Sequence, residues 1–302
     1  MKRKPLPEDI KATGQRTQSA KDKHMMISGD LMVIIGAALR AGAAIGAIAD
    51  AGIVARAKTD GSPVCAADEV GEAIIVDELC SAWPEACIVG EEMISRGHKP
   101  GIRPRMVLVD ALDGTRELVA GRPEYTVNIG VVENGTPVMG VVYQPATGML
   151  YAGQSGAGAF EVQAATLNPD DADTLASRAI PIAGVKRPKE RGAWRALVSR
   201  SHADARTAAL IEANEIGIQI EAGSSLKFCR LAEGQADIYP RLSPINAWDI
   251  AAGHAVLTAA GGHMTTPDGA PYRYNFGTNG FSCPPFVAWA SEPEVLCGVS
   301  SI

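Results

Sequence analysis

The six cysteines, at 65, 80, 87, 229, 283 and 297, form no C-x-x-C pair and show no metal-ligand spacing, so a cysteine-held metal is not indicated and a reduced, cytoplasmic compartment is the simplest reading. A basic excess is missing as well. Lys and Arg number 28 against 34 Asp and Glu, a net charge of −6, which argues against a general binder of nucleic-acid polymers. A small anionic substrate stays open, because a bound divalent cation can reverse the local field. No apolar h-region follows directly on the polar residues 1–24, as an ordinary signal peptide would require. The Ala/Ile/Gly-rich stretch 29–58 is long enough to span a bilayer, but Arg40, Asp50 and its many small residues make it only mildly hydrophobic. It reads as a core helix, not a transmembrane span. Around Gly153–Gly158 Ala157 breaks the G-x-S-x-G pattern of a nucleophile elbow, and no G-x-G-x-x-G opens a helix, so this segment reads as a strand connection.

What is present is ordinary globular composition, 46% hydrophobic and 21% charged, over 302 residues, enough for one large domain or two lobes. Residues 1–24 carry Lys2, Arg3, Lys4, Lys11, Arg16, Lys21 and Lys23 against Glu8, Asp9 and Asp22, and read as a mobile basic extension. Its charge suits a peripheral position at the inner face of a membrane, although no amphipathic anchor supports one. The stretch 107–117 organises the rest. An apolar run from Met106 to Val109 predicts a buried strand that delivers Asp110 and Asp113 where Gly114 lets the backbone turn. Thr115 stands in an N-cap position with Glu117 soon after, so a helix start should face the aspartates. Cation ligands beside an anion cradle suit a metal-bound phosphate.

Other carboxylates also fall at element ends. Asp68 opens a helical run from Glu69 to about Trp83, where capping and catalysis are both open roles. Glu91 and Glu92 follow a short strand from Cys87 to Val89. Asp249 precedes a small-residue helix, Ile250–Ala260, ended by Gly261 and Gly262. Between these lie strands at 125–132 and 137–143 joined by the hairpin signal Glu133-Asn-Gly-Thr136, then strands at 149–152 and 158–162, an antiparallel meander. The polar, proline-containing segment 167–192 reads as the passage between lobes. Beyond it, Ser199-Arg-Ser-His202 follows a strand and Gly223-Ser-Ser-Leu-Lys227 opens a helix; both are candidate anion contacts, with a surface position or a plain helix cap as the alternative.

Val89-Gly-Glu-Glu92, Asp110-Ala-Leu-Asp-Gly-Thr115 and Trp248-Asp249 with its Ala-rich helix and Gly-Gly together resemble the three signatures of the inositol monophosphatase superfamily of magnesium-dependent, lithium-sensitive phosphatases. Gly114-Thr-Arg-Glu117 is similar to the corresponding segment of the 3'(2'),5'-bisphosphate nucleotidases, and the 199–202 and 223–240 segments resemble the bacterial CysQ branch. The resemblance implies a layered αβαβα (α/β) sandwich, with residues 25–185 as an N-terminal lobe and 186–302 as a C-terminal lobe that completes the site. It implies two or three Mg2+ ions held by Glu91, Asp110, Asp113, Asp249 and the Leu112 carbonyl, hard oxygen donors of the kind Mg2+ prefers. Asp68 and Thr115 would activate water, the Gly114 and Thr115 amides would hold phosphate, and Ser199, His202, Gly223 and Lys227 would hold the nucleotide. The implied reaction removes the 3'-phosphate of adenosine 3',5'-bisphosphate, a by-product of sulfate assimilation, in a monomer or homodimer. Phosphatases of inositol phosphate or other sugar phosphates are the alternative, and a metal or nucleotide sensor is the non-enzymatic one. Ala111 departs from the proline usual in the family and loses its φ restriction.

Overall fold

The computed structural model describes residues 27–52, 55–57, 63–200, 204–277 and 280–298; the extension 1–24 and His202 lie outside the described residues. The chain opens with helix α1 (Gly29–Ala51), crosses a ribbon of β1 (Ala55–Ala57) and β2 (Pro63–Cys65), and enters α2 (Ala66–Ala82). The helix expected to reach residue 58 thus ends at Ala51, where the chain turns at Gly52 and Ala55–Ala57 pair with Pro63–Cys65. Helical composition alone does not reveal that turn. By length and composition α1 could cross a membrane, yet Leu31, Ile34, Ile35 and Ile45 are buried against α2 and the adjoining sheet.

Seven strands follow in spatial order, β3 (Cys87–Gly90), β4 (Arg105–Asp113), β5 (Thr126–Glu133), β6 (Thr136–Gln144), β7 (Met149–Gln154), β8 (Gly158–Gln163) and β9 (Ile180–Ile182). The first pair is parallel, joined through α3 (Glu91–Ser95); the rest is an antiparallel meander. Short α4 (Thr115–Val119) follows β4, and α5 (Ala172–Arg178) precedes β9. The segment 167–192 therefore contributes a helix and an edge strand to this sheet before the chain passes on. The second sheet contains β10 (Arg195–Ser199), β11 (Ile218–Ala222), β12 (Ile238–Arg241), β14 (His263–Thr265) and β16 (Phe286–Trp289), in the order β11-β10-β12-β16-β14. Its helices are α6 (Ala205–Ala213), α7 (Leu226–Ala232) and α8 (Ala247–Ala259), and a ribbon of β13 (Ile245–Asn246) and β15 (Ser282–Cys283) leads into α8.

Side-chain alternation sorts these elements into five layers. On β4, Val107 and Val109 face α1 and α2, whereas Met106 and Leu108 face α7 and α8. Leu197, Tyr239 and Phe286 of the second sheet join that middle layer, and Ala196, Ile238 and Trp289 pack outward with Leu210 and Ile211 of α6. The result is the expected αβαβα sandwich. Close approach of α8 to the larger sheet requires Gly130, Gly140 and Gly153, which sit side by side on β5, β6 and β7. A Cβ on them would lie 2.6 Å from Ala252 N, 2.4 Å from Ala252 O and 2.8 Å from Val256 Cα. Burial of the β4 side chains on both faces contributes roughly 1.5–3 kcal/mol each. That stability offsets the burial of a carboxylate at the strand's end.

Candidate active site

In a regular strand, residues three apart point to opposite faces. Asp110 pairs with Asn128 and Asp113 with Thr126, so three steps on β4 match two on β5, and the extra residue forms a bulge. The bulge turns both aspartates to the face occupied by α7 and α8. Ala111, in the usual proline position, is 3% exposed within it. The backbone then reverses at Gly114, whose φ of +103° is a conformation that favours glycine. Gly114 is the N-cap of α4 and Thr115 its first residue, so the helix starts one residue earlier than the sequence pattern predicts.

Asp68 and Asp249 share a local design. Each is the third residue of its helix and accepts the N–H of the N-cap residue, Cys65 N at 2.8 Å and Asn246 N at 3.2 Å. In each case this bond uses Oδ2. Asp68 Oδ1 accepts from Thr115 Oγ at 2.8 Å. Glu91 is the first residue of α3, which starts where it does because buried Glu72 accepts the Glu92 and Met93 N–H groups, both at 2.8 Å.

Glu91, Asp110 and Asp249 bring carboxylate oxygens within 4.8 Å of one another. Burial, and then the charges of Glu91, Asp113 and Asp249, push the Asp110 carboxyl well above the usual carboxylate range. Asp249 is raised by burial and then by Asp113 and Glu91. Carboxylates that repel one another in a buried cleft, with only oxygen donors, are the chemistry a hard divalent cation satisfies. Asp113 stands beside this trio with Oδ2 already engaged by Ser224 Oγ at 2.8 Å and Ser225 N at 2.7 Å. Asp110 Oδ1 accepts the Leu112 N–H at 2.9 Å, and the Leu112 carbonyl lies 3.3 Å from Thr115 Oγ.

These residues line a cleft of about 280 Å³ whose far wall comes from the second sheet and α7, with Ser199, Gly223, Lys227 and Arg241. Lys227 is 4% exposed and donates to Ser224 O at 2.6 Å; burial lowers its ammonium to about 8 although Asp113 pulls the other way. Arg241 carries no distinguishing signal in the sequence. Its Nε is buried with no hydrogen-bond partner among the described residues, at a point shared by this cleft and a neighbouring one of about 570 Å³. Ser224 and Ser225 are, by sequence, only small residues at a helix start, and nothing local distinguishes them. His202 lies outside the described residues.

The sequence pattern of the inositol monophosphatase family matches residues 29–297. The 3'(2'),5'-bisphosphate nucleotidase CysQ of Escherichia coli strain K12 is 36% identical over 217 residues, 72% of this chain and 81% of that protein. Among solved structures, CysQ from Bacteroides thetaiotaomicron superposes with a TM-score of 0.71 at 31% identity, over 87% of this chain and 98% of that one. The inositol monophosphatase of Anabaena superposes with a TM-score of 0.65 at 25% identity, over 87% and 90%.

Proposed function

Because the chain belongs to the inositol monophosphatase family, we propose that it is a Mg2+-dependent 3'(2'),5'-bisphosphate nucleotidase that hydrolyses adenosine 3',5'-bisphosphate to AMP and phosphate. The observation that carries this reading is a single cleft with the Glu91, Asp110 and Asp249 oxygens on one wall and Lys227 and Arg241 on the other. Such a cleft matches a substrate with two phosphates, one to be cleaved beside a cation and one to be held by side-chain charge.

Glu91, Asp110, Asp113, Asp249 and the Leu112 carbonyl would hold two or three Mg2+ ions. Bound there, the ions would supply an acidified water and neutralise charge on the phosphoryl oxygens. Thr115 Oγ donates its proton to Asp68 Oδ1 and so turns a lone pair towards an attacking water. Asp68 Oδ1 then takes the proton that Thr115 relays, and the Cys65 N–H on Oδ2 keeps the carboxylate from rotating. Gly114 and Thr115 line the cleft at the start of α4, where the first amides of a helix have no intrahelical partner and can bind phosphoryl oxygens. Arg241 and Lys227 supply charge for the second phosphate, and Ser199 and Gly223 bound its path. The protein would work in the cytoplasm, where its six free cysteines stay reduced.

Mg2+-dependent phosphate release from adenosine 3',5'-bisphosphate, run beside inositol 1-phosphate and fructose 1,6-bisphosphate, tests the proposal. Preference for the nucleotide supports it; preference for a sugar phosphate would keep the metal chemistry and discard the assignment of the cationic wall.

A further inference from the structure

Ser225 immediately precedes α7 and is 2% exposed. Its place before a helix suggests a capping hydroxyl, but the side chain makes no cap hydrogen bond. It reaches across the cleft floor instead. The Ser225 N–H donates to Asp113 Oδ2 at 2.7 Å, and its Oγ lies 3.1 Å from that oxygen and 2.6 Å from the backbone carbonyl oxygen of Asp249. A hydroxyl has one proton to give, and the shorter contact, to the carbonyl, takes it. Asp113 Oδ2 is then held by the Ser225 amide, which also lies 2.6 Å from Ser224 Oγ, by Ser224 Oγ at 2.8 Å and, farther off, by Asn128 Nδ2 at 3.5 Å. Ser224 adopts φ +54°, uncommon for a residue with a Cβ, and this places the consecutive donors on one acceptor.

We propose that Ser225 is a positioning residue that sets the cation affinity of the cleft by tying the end of β4 to the first turn of α8. One residue fixes Asp113 through its amide and the Asp249 backbone through its hydroxyl. The tie works against electrostatic repulsion, since like charges on Glu91, Asp110 and Asp249 push α8 away from β4 and α3 until a cation is bound. Holding α8 against that repulsion keeps the donors at the separation a small cation needs. With Oδ2 engaged, Asp113 presents its other oxygen, so it enters the site in one orientation. The inference rests on the metal-dependent reading above and adds a residue that the ligand set does not include.

The test is Mg2+ binding measured by calorimetry on the full chain without substrate, alongside thermal unfolding in EDTA. Ser225→Ala keeps the amide on Asp113 and removes the hydroxyl's link to α8, together with its longer 3.1 Å contact to Asp113 Oδ2. Its Mg2+ Kd should rise about 10–100-fold, the range for loss of a hydrogen bond behind a metal ligand. Its metal-free Tm should stay near that of the wild type, and phosphate release should recover at high Mg2+. Ser225→Thr retains the hydroxyl and should bind Mg2+ more nearly as the wild type does. An unchanged Kd in Ser225→Ala would overturn the proposal, as would equal weakening in Ser225→Thr, which would make the effect one of packing. A wild-type protein that binds no Mg2+ would instead overturn the metal reading itself and this inference with it.

Discussion

Asp110 sits at 4% exposure with Glu91, Asp113 and Asp249 as charged neighbours, so without a cation its negative charge opposes the fold around it. Asp110→Asn should therefore unfold at a higher temperature than the wild type in EDTA, while losing more than the ~100-fold in activity that weaker disturbances of metal sites produce. Differential scanning in EDTA and phosphate release in Mg2+ read the two effects; a lower Tm with full activity would reject the role given to Asp110. Thr115 divides chemically in the same way. Thr115→Ser keeps the hydroxyl aimed at Asp68 and should remain active, whereas Thr115→Ala should lower kcat by about 10²–10⁴ with a smaller change in KM. The carboxylates are legible in the sequence because each stands at the end of an apolar strand or the start of a helix. Arg241, Ser224 and Ser225 are not, because a cleft-facing arginine or serine differs from a solvated one only through neighbours distant in sequence.

Elements carry the next level of control. Glu72, in the middle of α2, caps the start of α3 with both carboxylate oxygens, and burial raises its pKa despite the two N–H donors. Glu72→Ala leaves those two amides unpaired in a buried place, which should destabilise the protein by about 1–3 kcal/mol. Because Glu91 is the first residue of α3, the same variant should need more Mg2+ for half-maximal activity; denaturant unfolding and Mg2+ titration check both parts. Although α2 and α8 begin three residues before their expected starts, the meander strands, the hairpin at 133–136 and the helix after residue 226 follow the apolar patterning closely. The bulge in β4 does not, since it depends on pairing with β5, and the β1–β2 ribbon is hidden in a stretch whose alanines suit a helix. Both departures arise from contacts between segments, which local propensity does not encode.

At the scale of the molecule, the middle layer joins the two sheets, and α8 is its centre. His254 of α8 is 3% exposed beside Tyr274, and burial, with the Arg273 charge added, lowers its pKa to about 3. The unfolded chain takes up a proton below about 6.5 that the folded chain refuses. The contribution is therefore fully present above that pH and is lost as pH falls towards 3, at about 1.4 kcal/mol per pH unit. Asp110 and Asp249, whose pKa values are raised, act in the opposite direction, so the difference between proteins is the useful quantity. Urea unfolding of His254→Gln should show a weaker loss of stability between pH 7 and 5 than the wild type; parallel slopes would contradict the assignment. The layer order is legible as a resemblance, whereas the packing distance between α8 and the larger sheet is not, because it depends on which glycines lie side by side across three strands.

The glycine row beneath α8 serves as a fixed datum for the cleft. Where most helices rest on compressible side chains, this one is seated on bare backbone at Gly130, Gly140 and Gly153, a few residues along from Asp249. The row limits how closely α8 can approach the sheet, and the Ser225 link keeps it from drawing back, so the spacing between Asp110 and Asp249 is bounded from both sides.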